Sequence, residues 1–210
     1  MSKVSELYRK LLKTYGKQGW WPIIQDGKCR YHPGNYALPT NEEQRFQIAA
    51  GAILTQNTNW KNAEKALLNL YREGKLDARQ LASASDYQIA NLIRPSGYYN
   101  QKTRRLKELA VRWPSLDHKE GTESMREFLL SIRGLGPETT DSIILYAFKK
   151  PIFVIDAYTR RFCAAHDLPV SGSYEDYRKF FESNLRKDYR TFNEYHALIV
   201  AWGKENKLPR

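Results

Sequence analysis

Cysteine is nearly absent from this chain. Two occur in 210 residues, Cys29 and Cys163. A disulfide framework and a four-cysteine metal site are thereby excluded, and a reducing cytoplasm is the expected setting. Long apolar runs are missing as well. No stretch reaches the roughly 18 apolar residues of a membrane-spanning helix, and the amphipathic start, "MSKVSELYRKLLKTYG", lacks the apolar block of a secretory signal. The four histidines, His32, His118, His166 and His196, show no ligand spacing, so neither zinc nor magnesium is expected. Internal repeats, low-complexity tracts and hairpin signals are not found. Acidic residues are outnumbered, 23 Asp+Glu against 34 Lys+Arg, for a formal charge of +11. Such an excess suits a nucleic acid or an anionic membrane surface, and is also compatible with a basic but indifferent surface.

What the sequence has is helical periodicity. "NEEQRFQIAAGAILTQNTNW" puts Phe46, Ala49, Ala50, Ile53 and Leu54 on one stripe behind an acidic first turn. "WKNAEKALLNLYREG" repeats the pattern. Ser85 with Gln88 forms a capping box, and Thr191 with Glu194 a second. Thr122, Asp156 and Ser173 read as further helix caps, and Pro137 as a first-turn proline. About ten helices follow, and the fold class is all-α. The segment 23–40 has two Pro, two Gly and no helical period, and is the expected crossing between domains.

One stretch asks for chemistry: "LSIRGLGPETTDSIILYAFKKPIFVIDAY", Leu130 to Tyr158. A helix ends at Ile132, Arg133-Gly134-Leu135-Gly136 turns, and a second helix starts at Pro137. The glycines allow tight backbone angles and close approach of another molecule. Outward amides and the helix dipole make a site for an anion such as a DNA phosphate. An ordinary helix-turn-helix corner would use the same residues, and Asp156 could serve only as a cap.

"IRGLGPETTDSIIL" followed by "FVIDAYTRRF" resembles the helix-hairpin-helix plus Gly/Pro-Asp signature of the endonuclease III superfamily of DNA glycosylases. "AGAILTQNTNWKNAEKAL" and "IRPSGYYNQKTRRLKELA" are similar to two further signatures of that family, in the same order. The resemblance runs from about residue 42 to the C-terminus. It implies two helical domains flanking a DNA cleft. Residues 38–150 would be a six-helix barrel domain with the hairpin, and 1–37 with 151–210 a discontinuous second domain carrying the catalytic Asp156. It also implies damaged double-stranded DNA as partner and a monomer acting on the nucleoid of a prokaryote. By resemblance Gln56 fills the gap left by a flipped base, with Asn57 beside it. Gly134, Gly136, Glu138, Thr139 and Lys102 join the DNA contacts, and the carbonyls of Leu130, Ile132 and Leu135 hold Na⁺ or K⁺.

Two departures narrow the reading. Bifunctional members carry a lysine two residues after the second hairpin glycine, which attacks the sugar as an amine. Here that residue is Glu138, which cannot form an imine, so water becomes the nucleophile. The family's four C-terminal cysteines, ligands of an iron–sulfur cluster, are also missing, so no cluster is expected. Both departures, with "GWWPI", resemble the cluster-free 3-methyladenine branch. That implies a base pocket of Trp20, Trp21, Pro22, Phe46 and Lys204, where aromatic faces favour a cationic alkylpurine. A free Lys204 ammonium would repel such a base. Lys204 is therefore either an exposed C-terminal lysine or neutralised by carbamylation or a carboxylate partner. An endonuclease III-like enzyme for oxidised or deaminated bases and a non-catalytic DNA-binding module are the alternatives.

Overall fold

A computed structural model describes residues 2–206. They form eleven α-helices and one small hairpin. The helices are α1 Lys3–Tyr15, α2 Glu42–Leu54, α3 Trp60–Arg72, α4 Ala78–Ser83, α5 Asp86–Leu92, α6 Tyr99–Arg112, α7 Thr122–Leu130, α8 Pro137–Ser142, α9 Ala157–Ala165, α10 Tyr174–Asn184 and α11 Tyr189–Glu205. α8 runs on into a π-helical turn, Ile143–Ala147.

The α2 helix is the centre. Every residue from Phe46 to Leu54 is buried, because it packs against α3, α6, α8, the π turn and the hairpin. The apolar stripe expected from periodicity is therefore too narrow. Ala49, Ala50, Gly51 and Ala52 let neighbours approach all round rather than on one face. α4 and α5 lie on α6, while α1 lies on α10 and α11, and α9 lies on α11. At that second group Phe153 stacks on Phe181 at 4.2 Å and meets Tyr195 and Phe192 edge-on.

The segment 23–40 contains a hairpin that the sequence reading missed. β1 Ile23–Gln25 pairs antiparallel with β2 Lys28–Arg30, Ile24 opposite Cys29. Asp26-Gly27 is the turn, with φ of 51° and 70°. Two left-handed residues are what a two-residue hairpin turn needs, and Asp-Gly is a strong sequence signal for one. The rest of the segment is pinned at both sides. Lys149 donates to the carbonyls of Ala37 and Pro39, and the Tyr36 hydroxyl donates to Glu194 at 2.6 Å. Two caps also differ from expectation. Asp188, not Thr191, caps α11, and Gly121, not Thr122, precedes α7. Glu194 is free of capping and instead accepts from Gln18 N–H and Tyr36.

Candidate active site

The run Ile152 to Ile155 is fully buried, at most 2% exposed. It threads the core outside any helix or strand and delivers Asp156 to the N-cap of α9. Asp156 Oδ1 accepts from the Thr159 amide at 2.7 Å and its hydroxyl at 3.0 Å. Its Oδ2 lies 3.5 Å from His196 Nε2. Burial pushes the carboxyl's pKa up, but His196 and Thr159 outweigh it and hold Asp156 below the usual carboxylate range. The carboxylate thus stays ionised inside the protein. His196 comes from α11, with Nδ1 2.6 Å from the Tyr146 hydroxyl. If that hydroxyl donates, the ring proton sits on Nε2 and faces Asp156. Sequence reasoning missed His196. Nothing in a lone histidine on an apolar helix face announces it.

Asp156 and His196 open onto a cleft of about 230 Å³. Three indoles wall it. Trp20 and Trp21 have ring centroids 5.3 Å apart, and Trp60 meets them edge-on at 5.1 and 5.7 Å. Trp60 was legible only as the first residue of α3. Trp21 is nearly buried and lies over Gly51, where a Cβ would come within 2.9 Å of its Nε1. That close approach explains a glycine in the middle of α2. Lys204 also lines the cleft, its ammonium 5.4 Å from the Trp20 ring centre. Burial lowers its pKa. Among the described residues no carboxylate pairs with it, so the expected carboxylate partner is not found.

Two pocket candidates fall elsewhere. Phe46 is 1% exposed and packs edge-on against Trp113 at 5.2 Å. It sits in the first turns of α2, on the face turned away from the cleft. Pro22 is buried and is not part of the cleft wall. The cleft therefore draws its third aromatic from α3, through Trp60, and not from α2.

The hairpin between α7 and α8 forms the cleft's edge. Gly134 has φ of +89°, and a Cβ there would meet the Arg105 side chain at 2.4 Å. Gly136 is extended, with open space where a Cβ would stand. Its glycine is not needed for packing within this chain, and it leaves the surface flat for another molecule. The amides of Gly134, Gly136 and Glu138 have no acceptor among the described residues. Beneath the turn, Arg126 donates to the fully buried Asp141 at 2.7 Å, locking α7 to α8. The carbonyls of Leu130, Ile132 and Leu135 belong to this turn, and Ile132's accepts from the Leu135 amide at 3.1 Å.

Across from the hairpin is the turn between α2 and α3. The Gln56 amide donates to Thr139 Oγ1 at 2.9 Å and to the Gly134 carbonyl at 3.3 Å. Its oxygen accepts from Arg105 at 2.5 Å. Asn57 stands exposed at the apex with φ of 53°. Glu138 lines the cleft beside Asp156. As a whole residue it is exposed, but its carboxyl end is desolvated in the cleft. That desolvation, then repulsion from Asp156, pushes its pKa up to about 7, against the pull of His196 and Arg160.

Lys102 is a correction. The resemblance makes it a DNA contact, yet it is 1% exposed. Its ammonium donates inward to the carbonyls of Leu54 at 2.9 Å and Ser96 at 2.7 Å. It closes the C-terminal end of α2 against the turn before α6, so its charge cannot reach a phosphate. Burial, then the nearby Arg105, lowers its pKa to about 8.

The comparisons agree with this geometry. The model of the HhH-GPD superfamily base excision DNA repair proteins matches residues 50–187. "Putative DNA repair glycosylase MJ1434" of Methanocaldococcus jannaschii is 37% identical over 96% of this chain and 87% of its own. The crystal structure of the H. pylori 3-methyladenine DNA glycosylase (MagIII) bound to 1,N6-ethenoadenine superposes with a TM-score of 0.72. It is 25% identical and covers both chains in full. A trapped endonuclease III–DNA covalent intermediate has the same fold, with a TM-score of 0.75 at 13% identity, over 100% of this chain and 90% of that one. The chain belongs to the HhH-GPD superfamily and is a base-excision-repair DNA glycosylase of endonuclease III type. Among the described residues no helix is long and apolar enough to cross a membrane.

Proposed function

We propose that this member of the HhH-GPD superfamily hydrolyses the N-glycosidic bond of flipped-out alkylated purines such as 3-methyladenine, without a lyase step. The observation that carries the reading is one cleft holding three elements. They are an ionised, partly buried Asp156, a wall of Trp20, Trp21 and Trp60, and Glu138 where an amine nucleophile would stand. A base cannot be attacked inside the duplex and must leave the stack. The exposed hairpin amides at Gly134, Gly136 and Glu138 hold a phosphate near the α8 N-terminus. The turn at Gln56 and Asn57 lies opposite, placed to enter the space left by the base. Carbonyls of Leu130, Ile132 and Leu135 are neutral oxygen donors that suit Na⁺ or K⁺, which when bound adds attraction for that phosphate.

An alkylated purine is already cationic and leaves without protonation. The protein's task is then to stabilise an oxocarbenium-like sugar, and the Asp156 charge does so. The indole faces attract the flat cation. The relative solved with ethenoadenine supports a purine-sized pocket.

A second reading has one observation in its favour. Lys204 lines the cleft with no carboxylate in ion-pair contact among the described residues, which opposes a cationic base and favours a neutral one. Excision from a panel of duplexes carrying 3-methyladenine, 1,N6-ethenoadenine, hypoxanthine or an oxidised base decides between the two. Asp156→Asn is expected to lower excision of the released base by about 10²-fold or more while DNA binding is kept. Borohydride is expected to trap no covalent adduct. A trapped adduct refutes the role given to Glu138.

A further inference from the structure

Glu138 is an ionisable cleft group whose side chain is left without a partner among the described residues. Its carboxylate makes no hydrogen bond or ion pair within the described residues, although the neighbouring carboxylate, Asp156, is held by Thr159 and His196. Two carboxyls therefore share one cleft in opposite circumstances. One is capped, paired and fixed. The other is bare and faces the space beside it.

We propose that Glu138 is the general base of the reaction: it holds the attacking water and takes its proton as the oxygen bonds to the sugar carbon C1′, while Asp156 stays ionised and stabilises the sugar cation. This deepens the hydrolytic reading above and rests on it. The bonds balance simply. The water oxygen forms a bond to C1′, the C1′–N bond breaks with its electron pair going to the base, and the water's proton passes to the Glu138 carboxylate. The division follows from environment. A group fixed in the ionised form serves as a charge, and one poised near the working pH moves a proton. The raised pKa of Glu138, about 7, fits that task. The groups facing it are Asp156 and Arg160 at the start of α9, His196 and Lys204 on α11, and Tyr158, with the more distant Tyr174 from α10. Asp156 pushes its pKa up, and His196 and Arg160 draw it down.

Two measurements test this together. The first is ¹³C titration of the Glu138 carboxyl in wild type and in Asp156→Asn, which needs no substrate. It is expected to show a midpoint near 7 that falls when the Asp156 charge is removed. An ordinary carboxylate midpoint overturns the proposal. The second is single-turnover excision from duplexes carrying 3-methyladenine or 1,N6-ethenoadenine between pH 5.5 and 9. With wild type, the rate for whichever base is released is expected to rise with pH through the Glu138 midpoint. Glu138→Gln is expected to flatten that limb and lower the rate at pH 8 by about 100-fold, with DNA affinity unchanged. A limb that survives in Glu138→Gln, or a rate that falls as pH rises, overturns the assignment. Release of ethenoadenine but not 3-methyladenine would refute the alkylpurine reading alone and leave the limb readable.

Discussion

Replacing Lys102 by methionine separates two accounts of the same residue. In the structure its ammonium donates to two buried carbonyls, those of Leu54 and Ser96. A hydrogen bond from a charged donor is worth about 1.5–3 kcal/mol, so the pair contributes roughly 3–6 kcal/mol gross. Methionine has similar length and fills most of the space, so the cavity term is small. Relief of the buried charge offsets part of the loss, leaving a net destabilisation of about 2–4 kcal/mol. For a chain of this size each kcal/mol moves Tm by about 2–4 °C. Lys102→Met is thus expected to melt about 5–15 °C below wild type. Its DNA affinity at a temperature where both are folded should keep the wild-type dependence on salt. A lysine touching phosphate behaves otherwise: its loss lowers the salt slope by about 1 and leaves folding alone. A Tm within about 2 °C of wild type, together with that shallower slope, refutes the buried placement.

Gly51→Ala gains roughly 1 kcal/mol of helix propensity, yet its Cβ would sit 2.9 Å from the Trp21 indole nitrogen. Overpacking of about 1–3 kcal/mol outweighs the gain. A lower Tm with altered tryptophan fluorescence is expected, and a rise in Tm contradicts the packing. Tyr174→Phe removes the hydroxyl that accepts from the Ile155 amide at 3.3 Å, one residue before Asp156. Excision is expected to fall about tenfold, roughly 1.4 kcal/mol of barrier, with DNA affinity unchanged; an unchanged rate shows that Asp156 is positioned without it.

The sequence made some of this legible and hid the rest for physical reasons. The Gly134-Leu135-Gly136 turn, the first-turn Pro137 and the Asp156 cap are local devices, written in consecutive residues. They stand where expected. Trp20, Trp21, Gln56, Glu138, Thr139, Asp156 and Lys204 do meet in one cleft. What failed depended on tertiary direction. Phe46 and Lys102 lie on the expected helices, but which face each helix turns inward is set by neighbours far along the chain. His196 and Trp60 reach the cleft only because α11 and α3 pack there. The Asp26-Gly27 hairpin was different. Its signal was local and was overlooked within a segment rich in other turn residues.

Gln56 arrives in this structure already engaged, held by Thr139, the Gly134 carbonyl and Arg105. Any movement of its amide out of the turn must first break three hydrogen bonds. At about 0.5–1.5 kcal/mol net for each neutral bond and about 1.5–3 for the one from Arg105, the released arrangement is populated between about one part in seventy and one in twenty-five thousand. The turn is a latch, and a latch governs timing as well as position. A protein travelling along intact DNA would carry it closed and move on. Only a base pair that lingers open long enough to meet the rare released state would be tested.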